Sequence, residues 1–256
     1  MSHPPRVWPI TLAAIALVLA LWVGATEGGL VRDLFLPPPG ELWSAFVDLL
    51  LNGYKGWSLL AHIGFSLERV GVGFAAGAVV GTLLGLGMGY LPVLDGLAAP
   101  FIEFLRPLPQ LAYLVLLIVW FGIGETSKIV LLFLAALPVA AVAARDGVRN
   151  VSPLRIDVAR TLGASRWQIF RHVVFPSALS EIFTGARLAV GIVYATLIAA
   201  EIIAGSNGIG WLILDAGRFL RSDYVFVGIL LIGLMGIGLD RLLRLAERRV
   251  VHWAGK

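Results

Sequence analysis

The chain has 256 residues, a formal net charge of +4 and a mean hydropathy of +0.89; 59% of its residues are hydrophobic and 14% are charged. Soluble domains carry about 25% charged residues, so this composition argues against a soluble enzyme, a disordered chain and a nucleic-acid-binding domain. The sequence contains no cysteine, which excludes disulfides and thiolate metal sites, and the class that remains is a polytopic membrane protein.

Six apolar segments predict membrane-spanning helices, each of which needs about 20 largely apolar residues. The first segment has a cleaved signal peptide as its alternative, but its apolar stretch is long for one. We therefore predict an all-α fold of six spans. The segments are 7–26, 70–94 with a start near His62, 107–124, 129–144, 186–204 and 224–239.

The polar stretches divide the chain into two regions. Residues 1–61 hold the first span and a surface segment, in which 41–51 predict a short amphipathic helix after a proline-rich turn. Residues 62–256 form the core, interrupted by a long polar insertion at 145–185. The last span continues as a basic amphipathic tail through 240–251.

Positive charge predicts the orientation of these spans. Six spans place both termini on one side, and 14 of the 20 Lys and Arg residues fall on that side. They include Arg6, Lys256 and all six arginines of the insertion. Because Lys and Arg favour the cytoplasmic side, both termini and the insertion 145–185 are predicted to be cytoplasmic.

A ladder of glycines runs through the second predicted span. Glycine at every fourth residue lets two helix backbones approach closely. Residues four apart are offset by about 40° around a helix. The line of glycines therefore winds around the helix and offers contact to more than one neighbouring helix. Its role is either static packing in the bundle or a sliding surface at a gate or subunit interface. The ladder is Gly73, Gly77, Gly81, Gly85 and Gly89.

The insertion predicts a helix–turn–helix. Ser152 suits the N-cap and Pro153 the first turn of one helix, and Gly163 suits the left-handed residue after its end. Ser165 suits the N-cap of a second helix, which Pro176 is expected to stop. An exposed apolar helix pair either binds a protein partner or folds back onto the membrane surface.

Four polar side chains are candidates for the transport pathway or a gate. Glu201 is the only charge of the fifth span, where carboxylates are functional by default; it either reaches the membrane edge or bonds the backbone of the following turn. Arg106 either pairs with Glu103 or lines an exit for an anion, and Gln110 and Tyr113 face the pathway. No metal-ligand spacing and no nucleophile–base pair occurs in the sequence, so we predict no metal site and no catalytic site.

The insertion resembles the cytoplasmic loop of inner-membrane permease subunits of ABC importers. That loop carries Glu-Ala-Ala, then a glycine, then Ile-x-Leu-Pro at fixed spacing. The acid, the second small residue, the glycine and the proline are retained here, with Val at the first Ala position. The matching residues are Asp157, Val158, Ala159, Gly163, Val173, Phe175 and Pro176.

Further runs are similar to the nitrate/sulfonate/taurine/bicarbonate branch of this family. They lie at 106–109, 120–128, 161–166 and 200–201. The run 120–128 and the C-terminal Arg248, Arg249, His252 and Trp253 look most like taurine-type members.

The resemblance implies a non-catalytic permease of the bacterial inner membrane that imports a small anion, first of all a sulfonate such as taurine, from a periplasmic binding protein. ATP and Mg²⁺ would bind to two separate ATPase subunits, in line with the absence of a P-loop around any of the three lysines. A second permease copy would complete a homodimer. The coupling residues it implies are Asp157, Ala159, Leu162, Gly163, Ala164, Ser165, Phe170 and Pro176.

Two alternatives stay open at this point. The same machine would carry nitrate, bicarbonate or another small organic compound, since cargo choice resides mainly in the binding protein. An ion-coupled secondary transporter is the alternative of another class, but such transporters often show internal repeats and the sequence has no convincing one.

Overall fold

The computed structural model describes residues 8–251, and the regular secondary structure of this range is helical. Arg6, His252, Trp253 and Lys256 lie outside the described residues. The helices are α1 Trp8–Glu27, α2 Pro39–Asn52, α3 Leu59–Tyr90, α4 Pro92–Leu105, α5 Gln110–Phe121, α6 Glu125–Arg149, α7 Pro153–Thr161, α8 Arg166–Ile169, a π-helical turn Phe170–Val174, α9 Phe175–Ala204, α10 Ile209–Arg218 and α11 Ser222–Val250.

Five helices of the described range are long and apolar enough to span a membrane: α1, α3, α6, the joined helix Arg166–Ala204 and α11. A sixth span results if α4 and α5 are counted as one broken span, bent by 100°. The predicted third span at 107–124 is shorter than expected, because the 12 residues of α5 reach only about 18 Å against a core of about 30 Å. Pro107 and Pro109 lie at the bend, where proline cannot donate a helical hydrogen bond.

The helices form two compact units. One consists of residues up to 62 together with 212–231. In it α2 begins with Pro39 and buries an apolar face, which confirms the predicted short amphipathic helix. The Tyr54 hydroxyl donates a 2.9 Å hydrogen bond to Asp215, and burial, with this carboxylate beside it, raises the pKa of Tyr54 to about 12. Tyr224 likewise donates to Asp48.

The second unit, residues 63–211 and those from 232 onward, is built around α3, α6 and α9. Its core consists of small and branched apolar side chains from these three helices. Small residues allow close contact where lipid removes the hydrophobic drive between helices. The core residues are Val70, Leu132, Ala135, Ala136, Ala189, Val193, Tyr194 and Leu197.

The glycine ladder of α3 packs against one helix throughout, α6. Its five glycines lie over five backbone carbonyl groups of α6, which also follow at every fourth residue; the first approach is to Ile129 and the last to Arg145. Because both seams step by four residues, they drift together, and the helices stay in contact as they wrap around each other. Within the described chain, the ladder therefore serves a single neighbour.

Gly85 and Gly71 offer a matched test of this packing. A Cβ at Gly85 would overlap the carbonyl oxygen of Ala141, whereas a Cβ at Gly71 has open space within 4 Å. Both glycines lie in α3, so Gly85→Ala and Gly71→Ala gain the same helix propensity. We expect Gly85→Ala to lose about 1–3 kcal/mol through overpacking and Gly71→Ala to lose nothing, as measured by thermal unfolding in detergent. Equal stability of the two variants would contradict close packing of the α3 glycines against the backbone of α6.

Candidate functional site

The first part of the insertion forms the predicted helix and the turn that follows it. Ser152 stands at the N-cap of α7 without a side-chain cap bond, and Pro153 occupies the first turn. Gly163 has φ +82°, and its amide donates to the Arg160 carbonyl at 2.9 Å. The Ala164 amide reaches back to Ala159 at 3.0 Å. The predicted left-handed glycine that ends this helix is thus confirmed.

The second helix begins as predicted but does not end as predicted. Ser165 forms a capping box with Gln168, with bonds of 2.8 and 3.3 Å. Pro176 does not stop the chain: the helix continues as Arg166–Ala204. The π-helical turn is the reason, because the Phe175 amide bonds the carbonyl of Phe170, five residues back, and the wider turn accommodates a proline that has no N–H to donate. The fifth span and the second helix of the insertion are one continuous element.

One face of this helix pair is anchored and the other is exposed. Val151, Ile169 and Val174 are buried in a cluster that also includes Val148 of α6 and Ala178 of α9. The opposite face exposes large apolar side chains. These are Leu154 at 71%, Val158 at 51%, Leu162 at 82% and Trp167 at 65% exposure.

A groove of about 360 Å³ lies between α7 and α8. Four of the eight predicted coupling residues line it, and Ser165 lies next to it. Asp157 forms an exposed ion pair of 3.2 Å with Arg160. Phe170 instead packs against the rings of Tyr90 and Trp167 at 5.2 and 5.8 Å, and Pro176 lies within the long helix. The groove-lining coupling residues are Ala159, Leu162, Gly163 and Ala164.

Arg69 is the centre of an ion cluster in the same unit, in which Arg69, Lys128 and Glu201 are buried and the Glu125 side chain is 55% exposed. Its guanidinium donates to both oxygens of Glu125 at 2.5 and 2.8 Å, to Glu201 at 2.5 Å, to the Asn207 carbonyl at 3.1 Å and to the Asn207 side chain. These five bonds use all five of its N–H donors. Lys128 adds a 3.0 Å ion pair to Glu125.

Glu201 is fully buried, so the alternative in which it reaches the membrane edge is wrong. Its oxygens accept from Ser66 at 2.8 Å, from Arg69 and from the Gly210 amide at 2.8 Å. The backbone bond just after the turn 205–208 fits the other alternative. Gly208 has φ +102°, and a Cβ there would overlap the Glu201 carboxylate, so the turn packs directly against this side chain.

Arg69, Glu125 and Lys128 are the residues that sequence reasoning missed at this site. From the sequence alone, Arg69 and Lys128 could be described only as charges near the ends of spans. Arg69 is also 132 residues away from Glu201 along the chain. The available signal is physical: a carboxylate within a span needs a counter-charge, and Arg69 is the only Lys or Arg residue of α3.

A second candidate region is a cavity of about 460 Å³ in the same unit, bordered by the start of α5, by α6 and by α9. Arg106 and Gln110, two of the four predicted pathway or gate residues, line it. The predicted Arg106–Glu103 pair is wrong, because Glu103 pairs with Arg145 at 3.4 Å. Tyr113 does not line the cavity and packs with an apolar cluster of α5, α6 and α9.

The chain is similar to known transport proteins along nearly all of its length. The family model described as binding-protein-dependent transport system inner membrane component matches residues 77–252. The taurine transport system permease protein TauC of Escherichia coli (strain K12) is 38% identical over 97% of this chain and 93% of that protein. The putative aliphatic sulfonates transport permease protein SsuC of Bacillus subtilis (strain 168) is 33% identical over 96% of this chain and 88% of that protein.

Solved structures share the fold. An inward-facing conformation of the MetNI methionine ABC transporter superposes with a TM-score of 0.64 at 21% identity. The match covers 77% of this chain and 96% of that one.

The ion cluster predicts that Arg69→Met is far more damaging than the loss of an exposed arginine. Removing one partner of a buried ion pair costs about 3–5 kcal/mol, because the other charge stays buried and unpaired. Arg244→Met is the matched control, since Arg244 forms an exposed 2.7 Å pair with Asp240 on α11 and such pairs contribute little. Thermal unfolding in detergent measures both. Similar unfolding temperatures for the two variants would refute a structural role for the cluster.

Proposed function

The chain belongs to the binding-protein-dependent transport system inner membrane component family, and we propose that it is the permease subunit of an ATP-driven importer of a small sulfonate, with taurine as the preferred cargo. The observation that carries the proposal is the exposed apolar face of α7 and α8 on a helix that runs on into a span. The 38% identity to a taurine permease supports the cargo, and the aliphatic-sulfonate relative supports other sulfonates as the second candidate.

ATP is hydrolysed by a separate subunit in this proposal. None of the three lysines of the sequence stands in a P-loop pattern. A cytoplasmic ATPase would seat on the groove between α7 and α8, with ATP and Mg²⁺ bound to that partner. Its nucleotide-dependent closure would move the helix Arg166–Ala204, and the span would follow because the helix is continuous.

The other partners follow from the same proposal. Two copies of this chain form the pathway in a homodimer, with two ATPase subunits on the cytoplasmic side and a periplasmic binding protein on the other. The chain lies in the bacterial inner membrane with both termini in the cytoplasm. Arg106 and Gln110 line the cytoplasmic half of the pathway, while Glu201 belongs to a fixed part of each copy and not to the surface that touches cargo.

Reconstituted transport tests the proposal directly. Proteoliposomes that contain this chain, its ATPase subunit and the binding protein are expected to accumulate taurine only with ATP inside, and vanadate is expected to stop uptake. Omitting the ATPase should abolish uptake, because this chain has no motor of its own. Uptake that continues without ATP, driven by an ion gradient, would contradict the importer.

Gly163→Ala tests whether the turn between α7 and α8 is part of the surface on which the ATPase would dock. Gly163 at φ +82° and Gly56 at φ +86° are both left-handed, and a Cβ at either has open space. Alanine therefore costs each site a similar backbone strain of about 1–2 kcal/mol. We expect Gly163→Ala to reduce co-purification with the ATPase and Gly56→Ala to leave it intact. Equal ATPase recovery with both variants would show that the turn is not part of the docking surface.

A further inference from the structure

The cavity between α5, α6 and α9 carries charges that have no side-chain partner among the described residues. Arg106, Asp146 and Glu181 line it; all three are exposed to solvent, and none forms an ion pair or hydrogen bond with another described side chain. Two other arginines of this unit that face carboxylates are paired: Arg145 with Asp95 at 2.6 Å and Arg187 with Glu247 at 3.3 Å.

The rest of the cavity wall is mostly apolar and narrow enough for one small molecule. Ala135, Leu188 and Ile192 line the part of the cavity that lies deeper in the spans, and Gln110 and Thr184 add uncharged polar groups. The volume of about 460 Å³ falls within the range of about 300–1,000 Å³ of small-molecule sites. A few placed polar groups in an apolar pocket are the usual means by which such sites orient a ligand.

The signs of the charges select among the cargo classes. One guanidinium and two carboxylates give the wall a net charge of −1, so a simple anion such as nitrate or bicarbonate is repelled on balance. A molecule with a sulfonate at one end and an ammonium at the other meets a partner at both ends. Its two charges also cancel, which lowers the cost of leaving water.

We propose that this cavity is a cargo site on the cytoplasmic half of the pathway and that it recognises zwitterionic aminosulfonates. Arg106 binds the sulfonate, and Asp146 and Glu181 bind the ammonium group. This inference rests on the proposed importer function and adds to it the residues that distinguish an aminosulfonate from an anion of one sign.

A single introduced cysteine reports on the cavity, because the natural sequence has none. Thr184 lines the cavity, so the variant Thr184→Cys places a thiol in its wall. The nucleotide-free complex of this chain with its ATPase, in detergent and without binding protein, is treated with a methanethiosulfonate reagent. The mass of this chain gives the labelling rate.

We expect taurine to slow the labelling of the Thr184→Cys thiol, and 2-hydroxyethanesulfonate and nitrate to require about two- to fivefold higher concentration for the same protection, the range that one exposed ion pair supplies. Adding Asp146→Asn and Glu181→Gln should remove the difference between the two sulfonates, and Arg106→Gln should weaken both. Asp240→Asn is the control, since Asp240 does not line the cavity and lies on α11 with Arg244.

A second readout needs no further variant. The net negative wall predicts faster labelling of Thr184→Cys by an aminoethyl reagent than by a sulfonatoethyl reagent, and the carboxamide changes should reduce that ratio. Equal protection by both sulfonates, or a thiol that no reagent reaches because a second copy covers it, overturns the proposal. Uptake is measured separately, in proteoliposomes that also contain the binding protein. If that uptake is ATP-driven, such a result removes the site and leaves the importer; if it is not, the importer itself fails.

Discussion

The core depends on one buried guanidinium that joins three helices. Arg69 of α3 binds Glu125 at the start of α6 and Glu201 near the end of α9, and it also holds Asn207 of the following turn. With Lys128 the cluster contains two positive and two negative charges and is neutral. Such a buried network adds little net stability over apolar packing, but every alternative arrangement leaves a charge without its partner. Its effect is to fix how the three helices are aligned.

Close backbone packing extends this constraint along the bundle. The glycine ladder of α3 keeps its contact with α6 over five successive approaches, and Gly185 of α9 lies directly against Ala143 of α6. Packed helices of this kind have few intermediate positions, since interiors repack in discrete steps and do not deform continuously. A force applied where α7 and α8 leave the bundle is therefore expected to move α3, α6 and α9 together, which is what a coupling element requires.

Local chemistry was predictable from the sequence, and long-range pairing was not. The turn at Gly163 and the cap at Ser165 depend on neighbouring residues, and the structure confirms both. The role of Pro176 depends on a π-helical turn that no local propensity indicates. The partners of Glu201 and Glu103 lie on other helices, so spacing along the chain could not decide between the two alternatives for Arg106. Charges in apolar segments thus predict that a partner exists, not which residue it is.

The central claim is that α7, α8 and the span that continues from α8 move as one body. Single spin labels on Leu154→Cys and Leu188→Cys test it, since both residues are exposed, at 71% and 63%, and the sequence has no native cysteine. Double electron–electron resonance between the two copies in the assembled transporter would be compared without nucleotide and with trapped ATP. The account predicts that both distances change together. A change at residue 154 with residue 188 unmoved would contradict it.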